Sequence, residues 1–210
     1  MKRFLLAALI FMMAFTVVFA QDAGTFSAGI RGGLGIGFND NKDVDFAGYK
    51  TDSLLHPVIA AYGYYTFAPN MAVQFETNIM INQGLKYSAN ILGWSANFEV
   101  SYMSLDIPVM FRYTFLNQPV NVGLVAGPHI SIPISKVKLS SSGSSTETDM
   151  EGFGFGATAG VFVGYPLGPG RIIGDLRFLF DFAHPKVKGR PTPFMNRRAL
   201  NISVGYEMTF

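Results

Sequence analysis

Charged residues that stand singly among apolar neighbours are the first feature of this sequence that could do chemistry. Eight of them fall in segments where every second residue is apolar: Arg31, Glu76, Asp106, Arg112, Asp175, Arg177, Asp181 and Glu207. Alternate residues of a β-strand point to opposite faces, so these charges would share one face and the apolar residues the other. Opposite charges enclosed together predict a network of ion pairs. The same residues around an open bore would line a narrow path for ions or small solutes.

Histidines offer a second source of chemistry. His56, His129 and His184 are scattered, and no H-x-x-x-H, C-x-x-C or G-x-S-x-G spacing occurs. His56 and His184 flank predicted long connections, the first of which contains Asp40, Asp43, Asp45 and Asp52. An enzyme with a site at this rim is therefore a third interpretation. We predict no catalytic residue, no metal site and no cofactor.

The segments that carry these residues predict eight β-strands, of which the second has ambiguous facing. They are "TFSAGIRGGLGIGFN", "HPVIAAYGYYTF", "MAVQFETNIMIN", "SLDIPVMFRYTF", "VNVGLVAGPHISI", "GFGFGATAGVFVGY", "RIIGDLRFLFDF" and "RALNISVGYEMTF". The apolar face includes Phe111, Tyr113, Phe115, Val161, Val163, Tyr165, Phe178, Phe180, Tyr206 and Phe210. An even number of strands is typical of bacterial membrane barrels, and eight is the smallest size.

Composition indicates which face meets the surroundings. Hydrophobic residues make up 49% of the chain and charged residues only 14%, whereas a soluble protein has about 25% charged residues. After residue 20 no apolar run reaches the ~18 residues of a membrane helix. A closed barrel is the remaining spanning structure, and the charges are too few to cover a soluble lipocalin-like barrel. Acidic and basic residues nearly balance, so nothing indicates a nucleic-acid partner.

The N-terminal segment predicts export. Lys2 and Arg3 precede an uncharged apolar run and the small residue Ala20, which is the pattern of a secretory signal peptide over residues 1–20. Residues 21–210 would form the barrel domain. An uncleaved membrane anchor is the alternative. The chain has no cysteine, so the exported domain would be held by packing and backbone pairing alone.

The connections between the predicted strands alternate in length. Short ones rich in Pro, Gly and Asn occupy residues 68–70, 116–119 and 166–170, and long ones occupy residues 39–55, 86–98, 136–152 and 183–197. Outer-membrane barrels have short periplasmic turns and long extracellular loops. We therefore expect a cell outer-membrane protein with periplasmic termini. The polar segment 138–149 is predicted to be a mobile extracellular loop.

The fourth long connection is basic. It contains Lys186, Lys188, Arg190, Arg197 and Arg198 and no acidic residue. Beside the outer leaflet these cations would contact outer-membrane lipid and the phosphates of lipopolysaccharide. A solvated loop is an equally good interpretation.

The chain resembles the PorT-type outer-membrane β-barrel family, grouped with small barrels of the OmpA and OmpX kind. The resemblance rests on "GIRGGLGIGF", "SLDIPVMFRYTF" with Asp106 and Arg112, "GFGFGATAGVFVGY" and the final strand. It implies that Tyr206, Met208 and Phe210 form a signal read by the barrel-assembly machinery during insertion. It also implies a non-enzymatic structural, adhesive or secretion-associated protein, whose long loops would bind a surface or secretion-system partner. A porin-like small-solute channel is the alternative.

Overall fold

The computed structural model describes residues 24–38, 49–91, 94–116, 119–141, 144–183, 185–188 and 198–210. The predicted signal peptide, residues 1–20, lies outside this part of the chain. The described segments are dominated by β-strands. None of them contains a helix long and apolar enough to cross a membrane.

Thirteen strands follow one another in the described chain. Eight form the barrel: β1 (Phe26–Phe38), β3 (Leu55–Ala68), β4 (Met71–Ile91), β5 (Trp94–Leu116), β6 (Asn121–Pro133), β10 (Gly154–Leu167), β11 (Gly170–Ala183) and β13 (Arg198–Thr209). The other five lie in the long connections: β2 (Tyr49–Ser53), β7 (Val137–Ser141), β8 (Ser144–Thr148), β9 (Met150–Glu151) and β12 (Lys186–Val187).

The eight barrel strands form a closed antiparallel ring. Each pairs with the next barrel strand along the chain, as in the pairing of β10 with β11. The ring closes where β1 pairs with β13, from Ser27 opposite Thr209 to Phe38 opposite Arg198. Closure leaves no unpaired edge in the ring, which a membrane wall requires. The prediction of an all-β, eight-stranded, antiparallel up-and-down barrel is confirmed.

Tight turns join the strands at one end of the ring. β3 ends at Ala68 and β4 begins at Met71, and Asn70 between them has a φ of 69°. β10 ends at Leu167 and β11 begins at Gly170, with Gly168 at a φ of 62°. Positive φ is most accessible to Gly and Asn, which explains why these residues make the turns.

The opposite end of the ring differs from the predicted loops. Residues 86–98 were expected to form a long loop, but β4 and β5 continue through this segment as strands of 21 and 23 residues. About 9–11 residues suffice to cross a membrane. A register irregularity between Met80 and Gln83 in β4 marks where the pairing with β5 changes. Beyond it the two strands continue outside the ring as a hairpin.

Further strands widen this hairpin into a sheet. β2 pairs with β4, β7 pairs with β5, and β8 pairs with β7. The order is therefore β2-β4-β5-β7-β8, and we call this sheet the extension. The mobile loop predicted for residues 138–149 is corrected, because β7 and β8 form a hairpin there. The serines and threonines of this segment suit solvent-exposed strands, and the side of β5 beyond the ring supplies pairing partners for the backbone.

Burial separates two faces of the barrel wall. Outward positions include Phe111, Val161 and Ile202, which are exposed, while their alternate neighbours are buried. The extension has a small apolar core of its own, in which Tyr102, Val137 and Val187 are buried. The interior of the ring is the lumen, and it holds the buried polar residues.

Candidate functional site in the barrel lumen

Four charged residues meet at the centre of the lumen, and we call them the central quartet: Arg31, Glu76, Asp175 and Arg177. Arg31 donates from Nη1 and Nη2 to the two carboxylate oxygens of Glu76, at 2.9 and 2.6 Å. Arg177 Nη1 lies 2.7 Å from each of the same oxygens. Arg31 and Arg177 also form ion pairs with Asp175, at 3.2 and 3.3 Å. Two guanidinium groups are thus neutralised by two carboxylates.

Neutral side chains complete the coordination of the quartet. The Gln74 amide donates to Glu76, Ser203 Oγ donates to Asp175 at 2.7 Å, and Arg31 donates to Asn78 Oδ1 at 3.1 Å. Buried charges are tolerated only when paired and hydrogen-bonded. These contacts come from β1, β4, β11 and β13, so the network ties distant parts of the ring together.

A second group lies towards the tight-turn end, around Glu207 of the last strand. Tyr62 and Tyr64 donate their hydroxyls to its two carboxylate oxygens at 3.1 and 2.9 Å. Arg171 donates to it at 3.2 Å, and Arg112 forms an ion pair with it at 3.6 Å. The facing of β3 was ambiguous in the sequence, and these contacts place both tyrosines inside.

The guanidinium of Arg112 is held between aromatic rings. Its central carbon lies 3.7 Å from the centre of the Phe162 ring and 4.2 Å from that of Tyr64. Arg112 Nη1 also donates to Gln74 Oε1 at 3.1 Å, which links this group to the quartet. Phe162 is buried at an inward position within the Gly-rich strand β10. Phe162 stands at even spacing from the inward glycines of this strand, and that spacing was the signal that could have identified it.

A third group surrounds His129. His129 Nε2 lies 2.7 Å from Asp181 Oδ1, and its Nδ1 lies 3.0 Å from Thr158 Oγ1. A hydroxyl, an imidazole and a carboxylate in series can activate a nucleophile. However, all three residues are buried, and the cavity that His129 and Thr158 border has a volume of about 10 Å³. A single water occupies about that space, so this arrangement has no room for a substrate.

Asp106 stands beside the His129 group. It accepts hydrogen bonds from Ser104 at 2.9 Å and from Ser131 at 2.6 Å, and it is fully buried. With it, all eight charged residues singled out in the sequence lie buried inside the ring. The structure brings them into three adjoining groups. The sequence analysis did not single out the neutral partners or His129. Most of them alternate with apolar residues on the same strands, which was the available signal.

The rim site suggested by the histidines is not formed as expected. His56 was placed near the long-loop rim, but its ring is buried inside the lumen. The backbone explains this: Gly35 lies opposite His56, and a Cβ on Gly35 would lie 2.2 Å from the His56 ring. His184 and the aspartates at 40, 43 and 45 lie outside the described residues. Asp52 belongs to β2.

The basic residues of the fourth long connection occupy different environments. Lys188 forms an ion pair with Glu151 at 3.5 Å, and Lys186 lies opposite Glu151 in the β9–β12 pairing. An acidic residue from another connection therefore meets a segment that is purely basic in sequence. Arg198 belongs to the wall, where its guanidinium lies 5.0 Å from the centre of the Phe180 ring. Arg190 and Arg197 lie outside the described residues.

The last strand presents its predicted assembly residues outward. Met208 and Phe210 are exposed, and Tyr206 donates its hydroxyl to the Leu167 carbonyl at 2.8 Å. The Phe210 backbone N–H donates to the Phe26 carbonyl at 2.7 Å, and the two rings are 6.4 Å apart. The end of the chain therefore closes the ring against its first strand. The role of Tyr206, Met208 and Phe210 as an assembly signal stays a prediction.

In the described part of the chain, no three His, Cys, Asp or Glu side chains are grouped to hold a metal ion. An apolar outer wall around a paired polar interior is the arrangement of a small membrane β-barrel.

The comparisons with known proteins identify the family. The family model described as "Outer membrane protein beta-barrel domain" matches residues 4–207, so the chain belongs to this family. The family indicates an outer-membrane location. A search of curated protein sequences finds no match.

Three solved structures are similar to this chain in fold. Neisserial surface protein A has 15% identity and a TM-score of 0.54, covering 88% of this chain and 97% of that one. OprG from Pseudomonas aeruginosa has 14% identity and a TM-score of 0.53, with coverages of 90% and 97%. A major outer membrane protein from Thermus thermophilus has 14% identity and a TM-score of 0.51, with coverages of 87% and 99%. At these identities the likeness concerns the fold alone.

Proposed function

We propose that this protein is a non-enzymatic outer-membrane barrel with a closed lumen, which carries the extension on the cell surface as a structural or partner-binding element. The observation that carries the proposal is the filled lumen. The central quartet and the Arg112–Phe162 stack occupy the bore, and the cavity beside the quartet measures about 10 Å³. Since this cavity leaves no space for a solute, we assign binding to the extension.

The proposed orientation places the tight turns and both ends of the domain in the periplasm. It is supported by the difference between the two ends of the ring, because outer-membrane barrels keep their turns short on the periplasmic side. Residues 1–20 would direct export. The barrel-assembly machinery would then read Tyr206, Met208 and Phe210 on the last strand before the ring closes.

The extension is the proposed binding element. Its length is supported by β4 and β5, which exceed the span of a membrane by about ten residues each. Its outer strand β8 is exposed from residue 144 to residue 147. A secretion-system component or surface protein could pair with such a strand edge. The resemblance to PorT-type barrels favours a partner associated with secretion.

A narrow channel is the competing function, and conductance separates the two. Purified native protein in planar bilayers is expected to give no discrete conductance steps. A double variant, Arg112→Ala with Phe162→Ala, removes the stack but leaves the central quartet in the bore, so it should also give no steps, and a large-pore porin incorporated in the same way is the positive control for insertion and detection. Folding of both proteins is checked by heat-modifiable migration. Discrete steps from the native protein would contradict the closed lumen.

A further inference from the structure

The outward face of the ring carries one charged side chain among the residues described. The other outward positions hold aliphatic and aromatic residues with a few Gly, Ala, Pro and Thr. These positions run along β4 from its tight turn to Met80, along β5 from Met103 to its tight turn, and along the other six barrel strands. Arg198 is the exception. It shares its face of β13 with the exposed residues Leu200 and Ile202, whereas Ala199, between Arg198 and Leu200, is fully buried.

The position of Arg198 on the wall corresponds to a membrane interface. It begins β13, so it lies at the end of the ring that carries the long connections. In the pairing it lies between Phe38 of β1 and Phe180 of β11. A guanidinium deep in the hydrocarbon would be costly, whereas at the headgroup level it is favoured.

Arg198 lies against one end of a row of aromatic rings. Its guanidinium carbon lies 5.0 Å from the centre of the Phe180 ring. Phe180 packs edge-on against Phe182 at 5.2 Å, and Phe182 lies 6.0 Å from Phe155. A girdle of aromatics at this level is typical of the boundary between hydrocarbon and headgroups. The ring under the guanidinium limits its motion and keeps it at the surface of the wall.

We propose that Arg198, resting on Phe180, binds a phosphate group on the lipid A part of lipopolysaccharide in the outer leaflet. The inference rests on the proposed function, because it requires a barrel in the outer membrane with its long connections outside. Guanidinium donors suit phosphate oxygens by charge and by their forked geometry. The apolar wall below Arg198 contacts the acyl chains of the same lipid. Among the described residues of the predicted basic contact, this assigns the phosphate to one wall residue.

For the test, the full chain is reconstituted into phosphatidylcholine nanodiscs that contain lipopolysaccharide. The amount of lipopolysaccharide retained per barrel is then measured. Arg198→Ala should retain about fivefold less, since one cation near a charged surface contributes about 1 kcal/mol and 1.4 kcal/mol is tenfold. Phe180→Leu, which keeps the wall apolar, should retain about twofold less. Lys138→Ala removes an exposed cation from the extension and should leave retention unchanged. Heat-modifiable migration verifies folding of each variant.

Three further arms identify the source of the phosphate. Lipopolysaccharide stripped of its lipid A phosphates should be retained equally by native protein and Arg198→Ala. Phosphatidylglycerol in place of lipopolysaccharide should be retained equally by the two proteins. Inorganic phosphate added as competitor should leave the difference in lipopolysaccharide retention unchanged. The assignment would be overturned if both proteins retained intact lipopolysaccharide equally. It would also be overturned if the native barrel retained phosphatidylglycerol as well as it retains lipopolysaccharide. If the native barrel inserts and does not conduct, either of these results leaves the proposed function intact. Failure to insert, or a conducting lumen, contradicts the proposed function itself.

Discussion

The lumen and the extension use the same kinds of charged residues in opposite ways. In the lumen, Arg31 and Glu76 pair at 2.6 Å with side chains 4% and 0% exposed. In the extension, Lys86 and Glu99 pair at 3.8 Å with side chains 54% and 39% exposed. Lys136 and Asp149 pair at 3.9 Å and are more exposed still. Exposed pairs are screened by water, whereas removing one member of a buried pair strands its partner.

This difference indicates which part of the molecule tolerates substitution of its charged residues and which part does not. Each charge of the central quartet has several partners, some of them on other strands, so a single change disturbs much of the ring. The ion pairs described in the extension are largely exposed. The extension can therefore change its surface residues at little cost, which suits a region that binds partners.

The largest expected effect follows from neutralising the centre of the quartet. Glu76→Gln leaves Arg31 and Arg177 close together with only Asp175 as a counter-charge, so the free energy of unfolding should fall by about 3–5 kcal/mol. Denaturant titration in detergent micelles measures this. The matched control is Glu151→Gln, whose pairing with Lys188 is exposed and should contribute at most about 1 kcal/mol. Similar losses in both variants would mean that the lumen charges are hydrated.

The next effect concerns the outer wall. Val161→Arg places a charge on the lipid-facing side of β10, where Val161 is exposed, and should cost about 2–4 kcal/mol near the bilayer midplane. Thr146→Arg in the exposed strand β8 is the control and should change stability by less than about 0.5 kcal/mol. Folding into lipid vesicles reports both. A Val161→Arg barrel as stable as its parent would show that this face does not meet lipid.

A smaller effect is expected at the aromatic stack in the bore. Phe162→Leu removes the ring against which Arg112 packs, and the combined loss of packing and cation–π attraction should be about 1–3 kcal/mol. Phe155→Leu, on the outward face of the same strand, should cost less, because Phe155 is exposed. The two variants are compared by chemical unfolding in micelles. A larger loss for Phe155→Leu would place the critical packing outside the lumen.

The smallest effect on stability belongs to the last residue. Phe210 is 73% exposed, so deleting it should change the unfolding free energy in micelles by less than about 1 kcal/mol. In cells the same deletion should greatly reduce the amount in the outer membrane, because the assembly machinery would lack its signal. Cell fractionation compares the truncated chain with Thr209→Ala. Normal outer-membrane levels of the truncated chain would remove the proposed role of Phe210.

Much of the ring was predictable from sequence because a strand buried on one face repeats every two residues. That period located seven of the eight barrel strands, β3 being recognised by its β-forming residues instead, and it placed Asp106 and Arg112 on the inner face. It did not reveal their partners, because register between strands depends on closure. The His129–Asp181 contact, for example, joins residues 52 positions apart.

The extension was not predictable by the same means. Residues 138–149 are polar apart from Leu139, so no alternation distinguishes a strand from a loop. Their pairing with β5 arises because β5 runs beyond the ring and offers a backbone edge. In β3, the run from Tyr62 to Tyr65 hid the period, since aromatic residues stand on both faces. His56 was misplaced for a related reason, because its position beside a predicted loop outweighed its inward parity.

Thiol labelling compares the lumen and the extension most directly. The chain has no cysteine, so Thr158→Cys in the lumen and Thr146→Cys in β8 each provide one reactive site. Thr158 is 3% exposed, and Thr146 is exposed. With a membrane-impermeant maleimide, folded Thr146→Cys should react fully within minutes, while folded Thr158→Cys should react only after denaturation. Comparable labelling of the two folded proteins would mean that solutes enter the bore, and would contradict a closed lumen.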